Sequence, residues 1–200
     1  QRGFSFLKDG PLDMRMNPDA DIPARELIKI KTSQELADIF KIYGEERFAK
    51  KIADKIKLTL QDKEINTTIE LAKLIEQTIP RKFHERKKHP ATRCFQALRI
   101  AVNNELGVIK QILPQLDCII AKNGIAAFIT FHSLEDRIIK HFVQKEIKPC
   151  NIPHELPILD KDLNKNIKWQ WVIKKQRADD IELNSNPRSR SATLRAIKKL

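Results

Sequence analysis

Residues able to do chemistry are densest in one short stretch of this chain. Within GIAAFITFHSLEDRIIKHF (124–142) stand His132, Ser133, Glu135, Asp136 and Arg137. An imidazole, a hydroxyl and two carboxylates inside one turn can donate, accept or relay a proton. Asp13 is a second candidate. With Arg15 it is flanked by Leu12, Met14 and Met16, and it reads either as a functional edge or as an internal ion pair holding its own loop. A third kind of chemistry is offered by RKFHERKKHPATR (81–93), which sets six Lys or Arg, two His and one Glu around Phe83. Cations with an embedded aromatic ring can grip phosphates and stack a base; a solvated connector has the same composition. At 132–136 the bland alternative is a pair of carboxylates that only cap a helix and a histidine packed in a turn.

Elements must hold these groups in place. Residues 125–131 are almost wholly apolar and rich in β-branched and aromatic types, the pattern of a strand buried on both faces of a sheet. Ile138, Ile139, Phe142 and Val143 then recur at helical spacing. Ser133 suits the N-cap, its hydroxyl accepting the Asp136 amide, and Glu135 with Asp136 puts negative charge at the positive end of the helix dipole. In an open parallel sheet, ligands sit at the carboxyl ends of the strands, which makes 132–136 the expected site.

Upstream, residues 1–22 carry two of the five glycines and read as an ordered loop, with Pro23 opening a short helix. Thr32 with Glu35 and Thr67 with Glu70 are capping boxes. The first opens a helix ending at Gly44, an amphipathic helix follows from Phe48, and the second opens a helix that Pro80 stops. Together they suggest a small helical module. Residues 91–106 form a further amphipathic helix burying Phe95, Leu98, Val102 and Leu106, and Pro114 starts or kinks the next one, which ends at Asn123-Gly124. After Phe142 the prolines at 149, 153 and 157 mark a loop. Trp169, Trp171 and Ile173 alternate as a strand, and NPRSRSATLRAIKKL gives a turn and then a strand. Helix, strand, helix, strand, strand is the second half of a doubly wound α/β sheet with an antiparallel tail.

Two hundred residues can bury roughly 70% of their extended surface. A formal charge of +12, from 38 Lys and Arg against 26 Asp and Glu, suggests a polyanionic partner, nucleic acid before membrane. Three widely spaced cysteines without a CxxC pair argue against a disulfide framework or a zinc site and fit a reducing compartment. No run reaches the length of a membrane span.

GFSF, DGPLDMRM, YGEERFAKKIA, HPATRCFQALRIAVNNEL, FHSLEDR and NPRSRSATLRA occur in this order and resemble the MraW family. These are the S-adenosylmethionine-dependent methyltransferases that act on N4 of a cytidine in bacterial small-subunit (16S) ribosomal RNA. The resemblance implies an α/β fold: the C-terminal part of a Rossmann-like methyltransferase with an inserted all-α domain. Residues 32–89 would be the insert, recognising RNA, and 1–31 with 90–200 would belong to the catalytic domain. It also implies a cytoplasmic enzyme with no membrane partner. Such an enzyme would use S-adenosyl-L-methionine through a glycine-rich loop and acidic residues expected upstream of Gln1, so the 200-residue chain alone is expected neither to bind the cofactor nor to methylate.

Methyl transfer to an exocyclic amine needs its lone pair aimed at the methyl carbon and an acceptor for its proton, so the protein's work is mostly placement of an unstacked base. The residues expected to line that pocket are Asp13, His132, Ser133, Glu135 and Asp136, with His132 or Asp13 nearest the base. Arg81, Lys82, Arg86, Lys87, Lys88, Arg188 and Arg190 are the expected RNA contacts. Members of the family often carry several cysteines after FHSLEDR; here Cys150 stands alone, which argues against a metal there. The alternative is a non-catalytic basic RNA-binding helical module, which explains the charge but not the buried strand followed by HSLED. A DNA-directed amino methyltransferase would share the chemistry but not the long motifs.

Overall fold

Two threonines set the helical half of the chain. In this computed structural model, which describes residues 2–19, 22–85, 88–147 and 167–200, Thr32 accepts the Glu35 amide at 3.2 Å and the Glu35 carboxylate accepts the Thr32 amide at 2.8 Å. Thr67 and Glu70 repeat the exchange at 3.3 and 3.0 Å. Each box satisfies amides that a helix start otherwise leaves open. They open the second and fourth of the helices α1 (Ala24–Ile30), α2 (Ser33–Gly44), α3 (Ala49–Asp62), α4 (Thr68–Thr78) and α5 (Thr92–Asn103).

The chain divides into two compact units, Gln1–Glu105 and Leu106–Leu200. In the first, the apolar stripes of α2, α3 and α4 form one core with Leu12 and Met14 of the N-terminal loop, Leu27 and Ile28 of α1, and Phe95, Leu98 and Val102 of α5. The helices of 32–89 therefore pack against residues from both flanks. Gly44 is the last residue of α2, while the left-handed cap is Glu45 at φ 49°. The glycine is required for a different reason: a Cβ there would lie 2.7 Å from the Arg93 carbonyl oxygen, where α2 meets the start of α5.

The helix expected over 91–106 is interrupted. Asn104 adopts φ 48°, a left-handed conformation that asparagine tolerates, and α6 (Glu105–Ile112) begins at once. Pro114 lies in a 3-10 turn, Leu113–Gln115, that leads into α7 (Leu116–Ile119). Asn123 at φ 66° then turns the chain into the sheet.

In the second unit the order is β1 (Ile125–Thr130), α8 (Ser133–Ile147), β2 (Trp169–Gln176), α9 (Asp180–Ser185), a 3-10 turn (Pro187–Ser191) and β3 (Thr193–Lys199). The helix α9 is an addition to the sequence expectation. β3 lies between β1 and β2 and is antiparallel to both, so β1 and β2 run in the same direction. The reversed last strand occupies the place that a purely parallel sheet would leave to direct pairing. Ala126, Ile139, Val143, Trp169 and Ile197 form the core with Leu113 and Leu116. β1 is buried on one face only: Ala126 and Thr130 are covered, whereas Ile125 and Ile129 are 58% and 63% exposed. The strand's residues are apolar on both faces, and among the described elements of this unit α8 packs on it from one side. No described helix is long and apolar enough to cross a membrane.

Candidate functional site

At the carboxyl end of β1 the chain turns into α8 through His132. Ser133 is the first helical residue and His132 takes the capping position before it. The Glu135 amide donates to His132 Nδ1 at 3.4 Å, and Glu135 Oε2 accepts the amides of Phe131 at 2.8 Å and His132 at 3.3 Å. This is a capping box in which imidazole replaces the hydroxyl of serine or threonine. The expected bond from the Asp136 amide to the Ser133 hydroxyl is replaced by one to the His132 carbonyl at 3.3 Å.

The box has a chemical consequence. Because Nδ1 accepts, the neutral ring carries its hydrogen on Nε2. That nitrogen is buried and makes no hydrogen bond; it lies 3.3 Å from Glu135 Oε1, at an angle that forms none. Burial raises the Glu135 carboxyl pKa, but the His132 ring and the amides of Phe131 and His132 outweigh it and hold the group below its ordinary value. Glu135 is thus an ionised anchor for the turn.

Asp136 points into a different contact. Its two oxygens take Arg195 Nε at 2.7 Å and a terminal nitrogen at 2.8 Å, a bidentate pair between α8 and β3. The Arg195 side chain is only 7% exposed, donates also to the Lys174 carbonyl and lies 5.8 Å over the Trp171 ring. The guanidinium holds the Asp136 carboxyl below its usual pKa. In the sequence Arg195 is one basic residue among several near the end of the chain. Its register beside Thr193 and Ile197, all three buried on one face of β3, is the signal that separates it from exposed Arg188 and Arg190.

In the first unit Asp13 forms the ion pair, one of the two readings its sequence allows. Arg15 Nε and a terminal nitrogen donate to its oxygens at 2.8 and 2.9 Å, and the Arg15 amide adds a bond at 3.1 Å. The Arg15 guanidinium holds this carboxyl low as well. The loop beneath is tightly fixed. Leu12 donates to the Asn66 carbonyl at 2.9 Å, Ala24 to the Asp13 carbonyl at 2.7 Å and Arg25 to the Leu12 carbonyl at 2.9 Å. Met14 sits at φ 64°, an unusual state for a side chain of its size. Asn103 of α5 holds it there, donating to the Met14 carbonyl at 2.8 Å and accepting the Met16 amide at 2.6 Å. Asn103 is a positioning residue that nothing in the pattern of the loop announces.

Arg81, Lys82 and Phe83 form an exposed 3-10 turn in the first unit, and Lys88 is exposed nearby. Arg188 and Arg190 are exposed on the 3-10 turn before β3 in the second unit. Arg86, Lys87 and Cys150 lie outside the described residues. Gly3, Gly44 and Gly124 do not make a phosphate cradle. A Cβ on Gly3 would meet the Pro11 carbonyl oxygen at 2.1 Å, and on Gly44 or Gly124 it would meet the Arg93 oxygen at 2.7 Å or the Ala121 oxygen at 2.9 Å. Each faces its own chain.

The whole chain, residues 1–200, matches the MraW methylase family. It is 48% identical over 200 residues to the ribosomal RNA small subunit methyltransferase H of Francisella tularensis subsp. tularensis (strain WY96-3418), all of this chain aligning with 66% of that protein. The proteins of the same name from Francisella tularensis subsp. mediasiatica (strain FSC147) and subsp. novicida (strain U112) are also 48% identical, with 65% of each covered. The chain therefore spans about two thirds of the length of these relatives. A match over every residue at this identity settles its family: the chain belongs to the MraW methylase family.

Proposed function

We infer that the chain is part of a Rossmann-like enzyme that methylates N4 of a cytidine in small-subunit ribosomal RNA, with S-adenosyl-L-methionine as donor. The observation that carries this is the 48% identity, over all 200 residues, to proteins named ribosomal RNA small subunit methyltransferase H. The sheet order supports it: two strands running the same way, with a reversed strand between them, put His132 at the carboxyl edge, where such sheets bind ligands. Residues 32–89 are the inserted RNA-recognising segment, with α1 and α5 of the flanks completing its core.

The residues divide the work by their surroundings. His132 carries its hydrogen on Nε2, which is buried beside Glu135 Oε1, so it donates to a ring acceptor of the flipped cytosine, and orients it, when the base takes that oxygen's place. Glu135 holds that tautomer by taking the turn's amides and giving its own amide to Nδ1. Asp136 anchors α8 to β3, and Ser133 begins the helix. Asp13, in the first unit, is an ionised carboxylate beside Arg15 and able to accept an amine hydrogen. Gly3, Gly44 and Gly124 face their own chain and would not hold the donor. The test is to give the complete enzyme small-subunit RNA and methyl-labelled S-adenosylmethionine and to identify the labelled nucleoside. N4-methylcytidine is expected; label on any other base or position overturns the reading.

A further inference from the structure

A cleft in the helical unit joins residues that the sequence keeps apart. It is lined by Arg47 and Phe48 at the start of α3, Phe83 of the 3-10 turn, and Glu85, Lys88 and Arg93, and has a volume of about 190 Å³. Sites for whole cofactors or drug-sized ligands occupy roughly 300–1,000 Å³. This one has room for a single planar ring, and a phosphate attached to that ring would lie outside it among the exposed Lys82 and Lys88.

The charges around it are unevenly partnered. Glu85 takes Arg93 at 2.7 Å, and Glu46, nearly buried, accepts the Phe48 amide at 2.8 Å. Among the described residues Arg47 has no carboxylate; its guanidinium lies 4.9 Å from the centroid of Phe83 and 5.7 Å from that of Phe48. Lys82 Nζ lies 5.1 Å from the Phe83 centroid, and the two rings are 5.1 Å apart at 51°. Rings that face cations hold them in place without neutralising them, leaving their N–H groups to a further acceptor. Phe83 is itself 38% exposed. Gly44 fixes this arrangement by letting the end of α2 touch Arg93 directly.

We propose that this cleft is a subsite for one nucleotide of single-stranded RNA, its phosphate held by Arg47, Lys82 and Lys88 and its base laid against the Arg47 guanidinium and the exposed part of Phe83. The proposal rests on the ribosomal-RNA reading above and adds to it a built subsite on the insert. Arginine planes and aromatic rings both serve as stacking platforms for unpaired bases. Double-stranded RNA presents its phosphates but not its base faces, so the subsite discriminates between the two.

The experiment measures binding of a short fluorescent oligoribonucleotide to the complete enzyme across a salt series, for the wild type, Arg47→Gln, Arg47→Lys and Phe83→Leu. Thermal unfolding of each variant confirms folding. Arg47→Gln should weaken single-strand binding about fivefold or more and reduce the slope of log affinity against log salt by up to about 0.7, the value for one whole phosphate, since Lys82 and Lys88 still face it. Arg47→Lys should restore the slope but not the full affinity, and Phe83→Leu should lower affinity at unchanged slope. Unchanged affinity and slope in Arg47→Gln, or an equal loss on duplex RNA, overturns the subsite. These outcomes are separable from the methylation assay. A wild type that labels the wrong nucleoside refutes the functional reading while an Arg47 effect still establishes the subsite, and a correct product with no Arg47 effect does the reverse.

Discussion

Asp13 and Asp136 make the same bond in different settings. Each binds an arginine through both oxygens at 2.7–2.9 Å. Asp13 meets Arg15 two residues away in a loop, with both side chains about a quarter exposed, whereas Asp136 reaches across 59 residues to an arginine that is 7% exposed; each arginine also donates to a backbone carbonyl, Arg15 to Pro18 and Arg195 to Lys174. Identical geometry therefore carries different weight. The local pair shapes a displayed edge, and the long-range pair fastens α8 to the sheet. Water can replace Arg15 at low cost, but it reaches Arg195 poorly, so removing the buried cation leaves both a void and an unpartnered carboxylate.

The comparison breaks most directly by deleting each cation. Arg195→Ala should cost about 3 kcal/mol, the low end for a broken buried pair because Asp136 keeps some exposure. Arg15→Ala should cost less, about 1 kcal/mol, because water reaches both partners of that local pair. Urea unfolding reads both as shifts of the midpoint at constant slope. Equal losses would mean that burial does not separate the two pairs.

Acid titration sharpens the contrast. Asp13 and Asp136 are both held low by their arginines. A carboxylate whose pKa is lower folded than unfolded leaves the unfolded chain binding more protons, so stability rises with pH through that interval. Their contribution is complete above the unfolded aspartate value of about 3.9 and drains away as pH falls below it toward the folded values. Arg195→Ala should flatten the dependence of unfolding free energy on pH below about 4 more than Arg15→Ala does. A wild-type slope retained in Arg195→Ala would show that Asp136 owes nothing to that pair.

Which features are legible follows the same division between near and far. Capping boxes, helix stripes, the strand after Gly124 and the Asp13–Arg15 pair depend on residues within four positions of one another, and the sequence pattern carries them. Arg195 beneath Asp136, Asn103 on Met14 and Arg47 against Phe83 are separated by 59, 89 and 36 positions, and no local periodicity relates them. Gly44 shows a third case. Its place at a helix end is apparent from the pattern, but the conventional left-handed cap is Glu45, and the glycine answers to Arg93 forty-nine residues on. At 132–136 the residue types point to a helix cap but to the wrong acceptor, because a histidine ring accepts the amide, and serine, the expected acceptor, does not.

The smallest expected change in stability tests that turn most closely. His132 caps α8 through Nδ1 and leaves Nε2 without a hydrogen bond. Asparagine is as good an N-cap as any residue, and its side-chain oxygen can take the Glu135 amide in place of Nδ1. His132→Asn should therefore keep the unfolding free energy within about 0.5 kcal/mol of the wild type. It removes the Nε2–H group, and on the proposed role in placing the base methylation by the complete enzyme should fall by roughly 100-fold, the cost of a misplaced reactant. The loss should appear in kcat as well as kcat/KM, because the interaction is drawn up most tightly when the amine is aligned. Activity that survives the exchange would reduce His132 to a helix cap, and the single nitrogen left unbonded in the turn would have no part in placing the base.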